Sequence, residues 1–110
     1  MFRIQPEPTF TCKVPLSVPG KPAPLEVDFT FHYKNKDQLA AWVQDATGKD
    51  DATLLGELIE SWEGMVDAKG NPVPYSLTNL HTLIYSYWAA RDEITRAYMR
   101  ELKESKTKNS

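Results

Sequence analysis

Hydrophobic and polar residues alternate along the first third of the chain, which is the spacing of β-strands with one buried face. The first alternating run contains Phe10, Cys12, Val14 and Leu16, and the second contains Leu25, Val27, Phe29, Phe31 and Tyr33. Six of the eight prolines lie in the first 24 residues, where they disfavour helix, and Pro19-Gly20 lies between the two runs. The pattern predicts an N-terminal antiparallel β-hairpin.

Helical spacing replaces this alternation after position 35. Asn35 is a suitable N-cap for a first helix that ends near Gly48 and carries Leu39, Trp42, Val43 and Ala46. A second helix is predicted from Asp50 or Asp51 to about Gly64, because apolar residues recur there at positions i, i+3, i+4 and i+7: Leu54, Leu55, Leu58, Ile59 and Trp62.

The longest helix is predicted at the C-terminal side, from a cap at Ser76 to about Glu104. Its apolar stripe consists of Leu80, Leu83, Ile84, Tyr87, Ile94 and Tyr98. Such a helix would span about 40 Å, which is longer than a domain of this size needs for its own packing. The predicted architecture is a single α+β domain over residues 1–104, with a hairpin followed by three helices, and a polar, flexible tail over residues 105–110.

Composition restricts the class of protein. A chain of 110 residues with 41% hydrophobic residues can build one modest core, and a net charge of −2 is not typical of a nucleic-acid-binding protein. The sequence contains no apolar run long enough for a membrane span. Cys12 has no partner for an internal disulfide, and we see no secretory leader, so we expect a reducing cytoplasm.

The charge is unevenly distributed. Residues 37–67 carry a net charge of −7, because Lys49 is the one basic residue among eight acidic ones: Asp37, Asp45, Asp50, Asp51, Glu57, Glu60, Glu63 and Asp67. Solvated helix faces account for such a segment, and so does a surface that attracts a basic partner.

The residues do not predict a catalytic or metal site. Cys12 could pair with His32 or His81 as thiolate and base, but Cys12 and His32 point to opposite faces of the predicted sheet. Asp28 and His32 lie about 13 Å apart along a strand, too far to share one ion. Phosphate-binding glycine loops and nucleophile elbows are also missing. We therefore expect a protein without catalytic activity, metal or cofactor.

Surplus aromatic residues on the last helix suggest a protein-binding surface. Tyr85 lies roughly opposite the apolar stripe at 100° per residue, and Trp88 and Met99 follow on the same long helix. We assign protein binding to Tyr85, Trp88, Met99 and Leu102. A crossing helix that covers both sides would explain the same residues as core.

One segment resembles a known family. Residues 62–84 read WEGMVDAKGNPVPYSLTNLHTLI, which resembles the tail assembly chaperones of long-tailed bacteriophages, small proteins encoded just before the tape-measure protein. The matching positions are Trp62, Gly64, Met65, Asp67, Gly70, Pro72, Pro74, Tyr75, Ser76, Leu80, Leu83, Ala90 and Ile94. Two positions differ from the family pattern. Asn79 stands where many relatives have Glu. Trp88 stands where a Tyr-Pro step is frequent among relatives, and without that proline we expect the last helix to run straight.

The motif itself predicts a structural connector. Trp62 and Met65 would pack against Tyr75 across the Gly70 turn, and Asp67 would accept backbone N–H groups of that turn. Among the motif residues Trp62, Gly64, Asp67, Gly70, Pro72, Pro74, Tyr75 and Ser76 we expect structural roles only.

The resemblance implies a function. A family member would bind the tape-measure protein, help to recruit tail-tube subunits, self-associate as a homo-oligomer, act in the host cytoplasm and be absent from the mature virion. Two alternatives remain open: a generic cytoplasmic adaptor domain that uses its acidic face, and an enzyme with a pocket around His81 or Cys12.

Overall fold

A computed structural model describes residues 1–104 as an α+β fold, which confirms the predicted class. The predicted tail, residues 105–110, lies outside the described residues. Three strands and four helices follow one another in the order β1 (Thr9–Leu16), β2 (Leu25–His32), α1 (Lys36–Gln44), α2 (Asp51–Gly56), β3 (Ile59–Glu63), α3 (Leu77–Ser86) and α4 (Ala90–Lys103).

The predicted hairpin is confirmed, and the first helix begins at the predicted cap but ends at Gln44, before the predicted end near Gly48. β1 and β2 pair antiparallel, with Phe10 opposite Phe31 and Val14 opposite Val27. The Asn35 side chain accepts a hydrogen bond from the Gln38 backbone N–H, and the Asn35 backbone N–H donates one to the Gln38 side-chain oxygen, so that a capping box starts α1.

The predicted second helix is wrong beyond Gly56. The helix covers only Asp51–Gly56, and the chain then forms β3, which pairs antiparallel with the free edge of β2. Ile59 lies opposite Phe31 and Trp62 lies opposite Phe29, so one extra residue is accommodated in β3 as a β-bulge. The bulge turns two residues three apart to the same buried face, which is why the strand has helical spacing in the sequence.

The predicted straight C-terminal helix is also wrong. The chain leaves the helical conformation at Tyr87 (φ −124°, ψ 114°), and a turn separates α3 from α4. A straight helix of about 40 Å would extend past strands of about 26 Å. The turn instead lets α4 pack on β1, so packing against the sheet decides against a continuous helix. α4 is the longest helix, as expected for the C-terminal one.

One face of the sheet and the helices enclose the core. The Tyr98 hydroxyl on α4 donates a 2.8 Å hydrogen bond to the His32 carbonyl at the end of β2, and the Tyr98 ring packs against Phe10 and Phe31. At the other end of the hairpin, the backbone N–H and hydroxyl of Ser17 bond to the Glu93 carboxylate. These two contacts fix α4 along the hairpin.

Candidate protein-binding surface

The segment that follows β3 connects the sheet to α3 through contacts of Trp62. The Trp62 indole N–H donates a 2.8 Å hydrogen bond to the Val73 carbonyl, and the Trp62 and Tyr75 rings meet edge to face with centroids 5.1 Å apart. Trp62 belongs to β3 and not to a helix, so the contact joins the sheet to α3. Gly64 has a φ of +92°, a conformation that favours glycine, where the chain leaves β3.

Asp67 organises the turn around Gly70. Its Oδ1 accepts hydrogen bonds of 2.9 Å from the backbone N–H groups of Asn71 and Lys69, and these bonds hold the pKa of the carboxyl below its ordinary value. Gly70 has a φ of +85°, and Pro72 pairs with Val66 in an isolated bridge. The turn therefore has the local geometry that the motif predicted.

The start of α3 follows from the next residues of the motif. The Ser76 hydroxyl accepts a 3.0 Å hydrogen bond from the Asn79 backbone N–H, which confirms the predicted cap. The Asn79 side chain donates a 2.8 Å hydrogen bond to the Pro74 carbonyl. The Asn79 side chain therefore links α3 to the end of the connector.

An apolar groove of about 680 Å³ lies between this connector, the turn end of the hairpin and the end of α3. Its walls are mainly aliphatic and aromatic, and the charged residues that line it are Glu26 and Asp67. Leu25, Val66 and Tyr87 leave apolar surface exposed at the groove. Sequence reasoning missed this groove because its walls come from segments that are distant in the sequence.

Exposed aromatic rings surround the turn between α3 and α4. The side chain of Trp88 is 99% exposed, that of Tyr85 is 85% exposed and that of Tyr87 is 37% exposed. We call these three residues the aromatic turn. Tyr87 was expected in the core, but the break in the helix brings it to the rim of the groove. The exposure of Tyr85 and Trp88 excludes, within the described residues, the alternative in which a crossing helix covers them.

Met99 and Leu102 do not lie beside the aromatic turn. Met99 is about 14 Å and Leu102 about 18 Å along α4 from Ala90, and both side chains are half-buried against the core. The structure therefore separates the four predicted binding residues into an exposed pair and a packed pair. Their role in protein binding stays a prediction.

The residues considered for catalysis do not converge. Cys12 lies half-buried on the core side of β1 while His32 is exposed, and burial raises the pKa of the Cys12 thiol to about 11. His81 stacks on the exposed ring of Tyr85 instead. Among residues 1–104 we find no cluster of His, Cys, Asp and Glu suited to a metal ion, and no helix there is sufficiently long and apolar to span a membrane.

The eight acidic residues of positions 37–67 are all exposed, but they are distributed over α1, α2, β3 and the connector. Two of them pair with basic side chains, Glu57 with Lys49 and Asp51 with Arg91, and Glu60 lies 3.6 Å from Nδ1 of His32. The acidic side chains of this segment are therefore exposed to solvent, and some of them are paired within the chain.

Comparison with known proteins identifies the class. The sequence profile of the phage tail assembly chaperone family matches residues 1–109, and this chain belongs to that family. No curated protein and no solved structure matches the chain significantly.

Proposed function

We propose that this chain binds the tape-measure protein of its phage or prophage, helps to recruit tail-tube subunits and self-associates, without catalysing a reaction. It acts in the host bacterial cytoplasm and is absent from the mature virion. Membership of the tail assembly chaperone family carries the proposal.

The aromatic turn supports a direct role in client binding. Trp and Tyr are enriched where proteins bind one another, because a large apolar ring can be buried while its polar atom keeps a hydrogen bond. Trp88 and Tyr85 expose almost their whole side chains, and Tyr87 continues this surface into the groove. A long helical client with apolar stripes offers side chains that fit such a surface.

The alternative of an adaptor domain with an acidic face has weaker support. The acidic residues do not form one contiguous element, and part of their charge is paired within the chain. A basic partner would therefore meet a dispersed potential and no defined pocket.

Co-expression tests the proposed function. The tape-measure protein of the same phage should stay in the soluble fraction when this chain is co-expressed and should aggregate without it. Equal recovery of soluble tape-measure protein with and without the chain would contradict the proposal. A chain with Trp62→Ala, which we expect to be destabilised, serves as the inactive control.

A further inference from the structure

An exposed apolar arm precedes β1. Phe2 and Ile4 are 97% and 95% exposed, and all side chains of residues 1–8 are exposed. The arm bends at Ile4 and Gln5 in the single chain. When such a segment is extended, two large apolar residues at i and i+2 lie on the same face. Pro6 and Pro8 disfavour helix in the arm. The arm thus presents two apolar side chains that the described part of its own chain does not cover.

The arm does not fill the groove of its own chain, because none of residues 1–8 lines that groove and both Phe2 and Ile4 are exposed. The Pro8 carbonyl accepts a 2.8 Å hydrogen bond from the Tyr33 backbone N–H, which anchors the arm at the open end of the hairpin. The groove lies at the turn end, beside Leu16 and Leu25. β1 covers about 23 Å between the two ends, whereas a fully extended chain from Pro8 reaches about 13 Å to Ile4 and about 20 Å to Phe2.

The charges of arm and groove are complementary. Arg3 lies between the two apolar residues of the arm, and the charged residues that line the groove are both acidic, Glu26 and Asp67. In the single chain Arg3 pairs with Glu7, an exposed local contact that contributes little and exchanges easily. The groove therefore favours an apolar peptide that carries a positive charge.

We propose that the groove of each chain binds Phe2 and Ile4 from the arm of a second copy. This inference rests on the self-association included in the proposed function and names the parts that perform it. Because arm and groove lie at opposite ends of the hairpin, two antiparallel copies can exchange their arms in a two-fold dimer, and copies that add head-to-tail build rings or open filaments. Repeated weak contacts of this kind suit a protein that covers a long client.

Sedimentation velocity on the isolated chain tests the contact over a range of concentrations, without any client. We expect the mass of the wild type to rise with concentration to that of a dimer or a larger assembly, and the Phe2→Asp/Ile4→Asp and Leu25→Asp variants to stay monomeric. Val43→Asp, an exposed apolar position on α1, is the matched control and should associate like the wild type. Circular dichroism and thermal unfolding verify that every variant is folded.

Mixing the two monomeric variants gives the sharper result. The arm variant keeps an intact groove and the groove variant keeps an intact arm, so the mixture should form a complex of two chains and nothing larger. A wild type that is monomeric throughout, association that survives in the arm variant, or a mixture that forms no complex would overturn the inference. Association that only Trp88→Ala abolishes would assign the groove to the aromatic turn of the second copy and would overturn it as well.

The client-free design separates the two proposals. If the chain is monomeric but keeps the tape-measure protein soluble, the arm contact is wrong and the proposed function stands. If the chain associates through its arm but does not affect the tape-measure protein, the proposed function is wrong and the arm contact stands.

Discussion

Trp62 and Tyr75 meet edge to face at a centroid distance of 5.1 Å, and this contact joins the last strand of the sheet to the start of α3. The same indole is hydrogen-bonded to Val73 across the connector. Because α3 leads directly into the aromatic turn, the contact determines where Tyr85 and Trp88 are presented. The contact therefore links the position of the exposed aromatic turn to the sheet.

Removal of the Trp62 contact should destabilise the whole fold. Trp62→Phe keeps part of the ring packing but leaves the Val73 carbonyl without its donor, and we expect a loss of about 1–3 kcal/mol in the free energy of unfolding. Trp62→Ala should cost about 3–5 kcal/mol. Urea denaturation measures both. Trp88→Ala removes an equally large side chain that is exposed, and it should change the free energy of unfolding by no more than about 0.5 kcal/mol. Equal losses of stability at the two tryptophans would contradict this account of the connector.

The Asp67 turn should make stability depend on pH in acid. Hydrogen bonds from Asn71 and Lys69 lower the pKa of the folded carboxyl, so their contribution is present above the unfolded pKa of about 3.9. It is lost as the pH falls through the lower folded pKa. Wild type should therefore be more stable than Asp67→Ala at pH 7, and the difference should shrink on acidification. Urea unfolding of both chains between pH 7 and pH 2 checks this, and a constant difference would refute it.

Cys12 should react slowly in the folded protein. Burial and, to a lesser degree, the Glu101 carboxylate raise its pKa from 9.0 to about 11, so the reactive thiolate is about 100-fold rarer at pH 8 than in an exposed thiol. The rate of iodoacetamide alkylation at pH 8 should increase by about that factor when the chain is unfolded in urea. Equal rates in the folded and unfolded chain would show that Cys12 is not protected.

Local patterns predicted the hairpin, the cap of α1 and the geometry of the Asp67 turn, because each depends on residues close together in the sequence. They failed at β3, where a bulge gives Ile59 and Trp62 the spacing of a helix. A short apolar run is ambiguous between helix and strand, and the free edge of β2 decided the outcome.

The break before α4 and the groove depended on tertiary packing. No proline or glycine marks the break, since Tyr87, Trp88 and Ala89 form it, and its cause is the packing of α4 on β1. Helical periodicity placed Tyr85 opposite the apolar stripe, and Tyr85 is exposed, whereas Trp88 is exposed in the turn between the two helices. Met99 and Leu102 lie apart from these two residues because the helix breaks before α4. A prediction of one continuous helix could not show this separation.

The affinity of the chain for the tape-measure protein of the same phage, compared among variants, tests the central claim most directly. We expect Trp88→Ala to weaken binding to immobilised tape-measure fragments by about 30-fold, the scale of a central aromatic contact, and Tyr85→Ala to weaken it less. Val43→Ala, an exposed apolar position on α1, should bind like the wild type, and all three variants should unfold at the wild-type urea concentration. Unchanged affinity in both Trp88→Ala and Tyr85→Ala would contradict client binding through the aromatic turn.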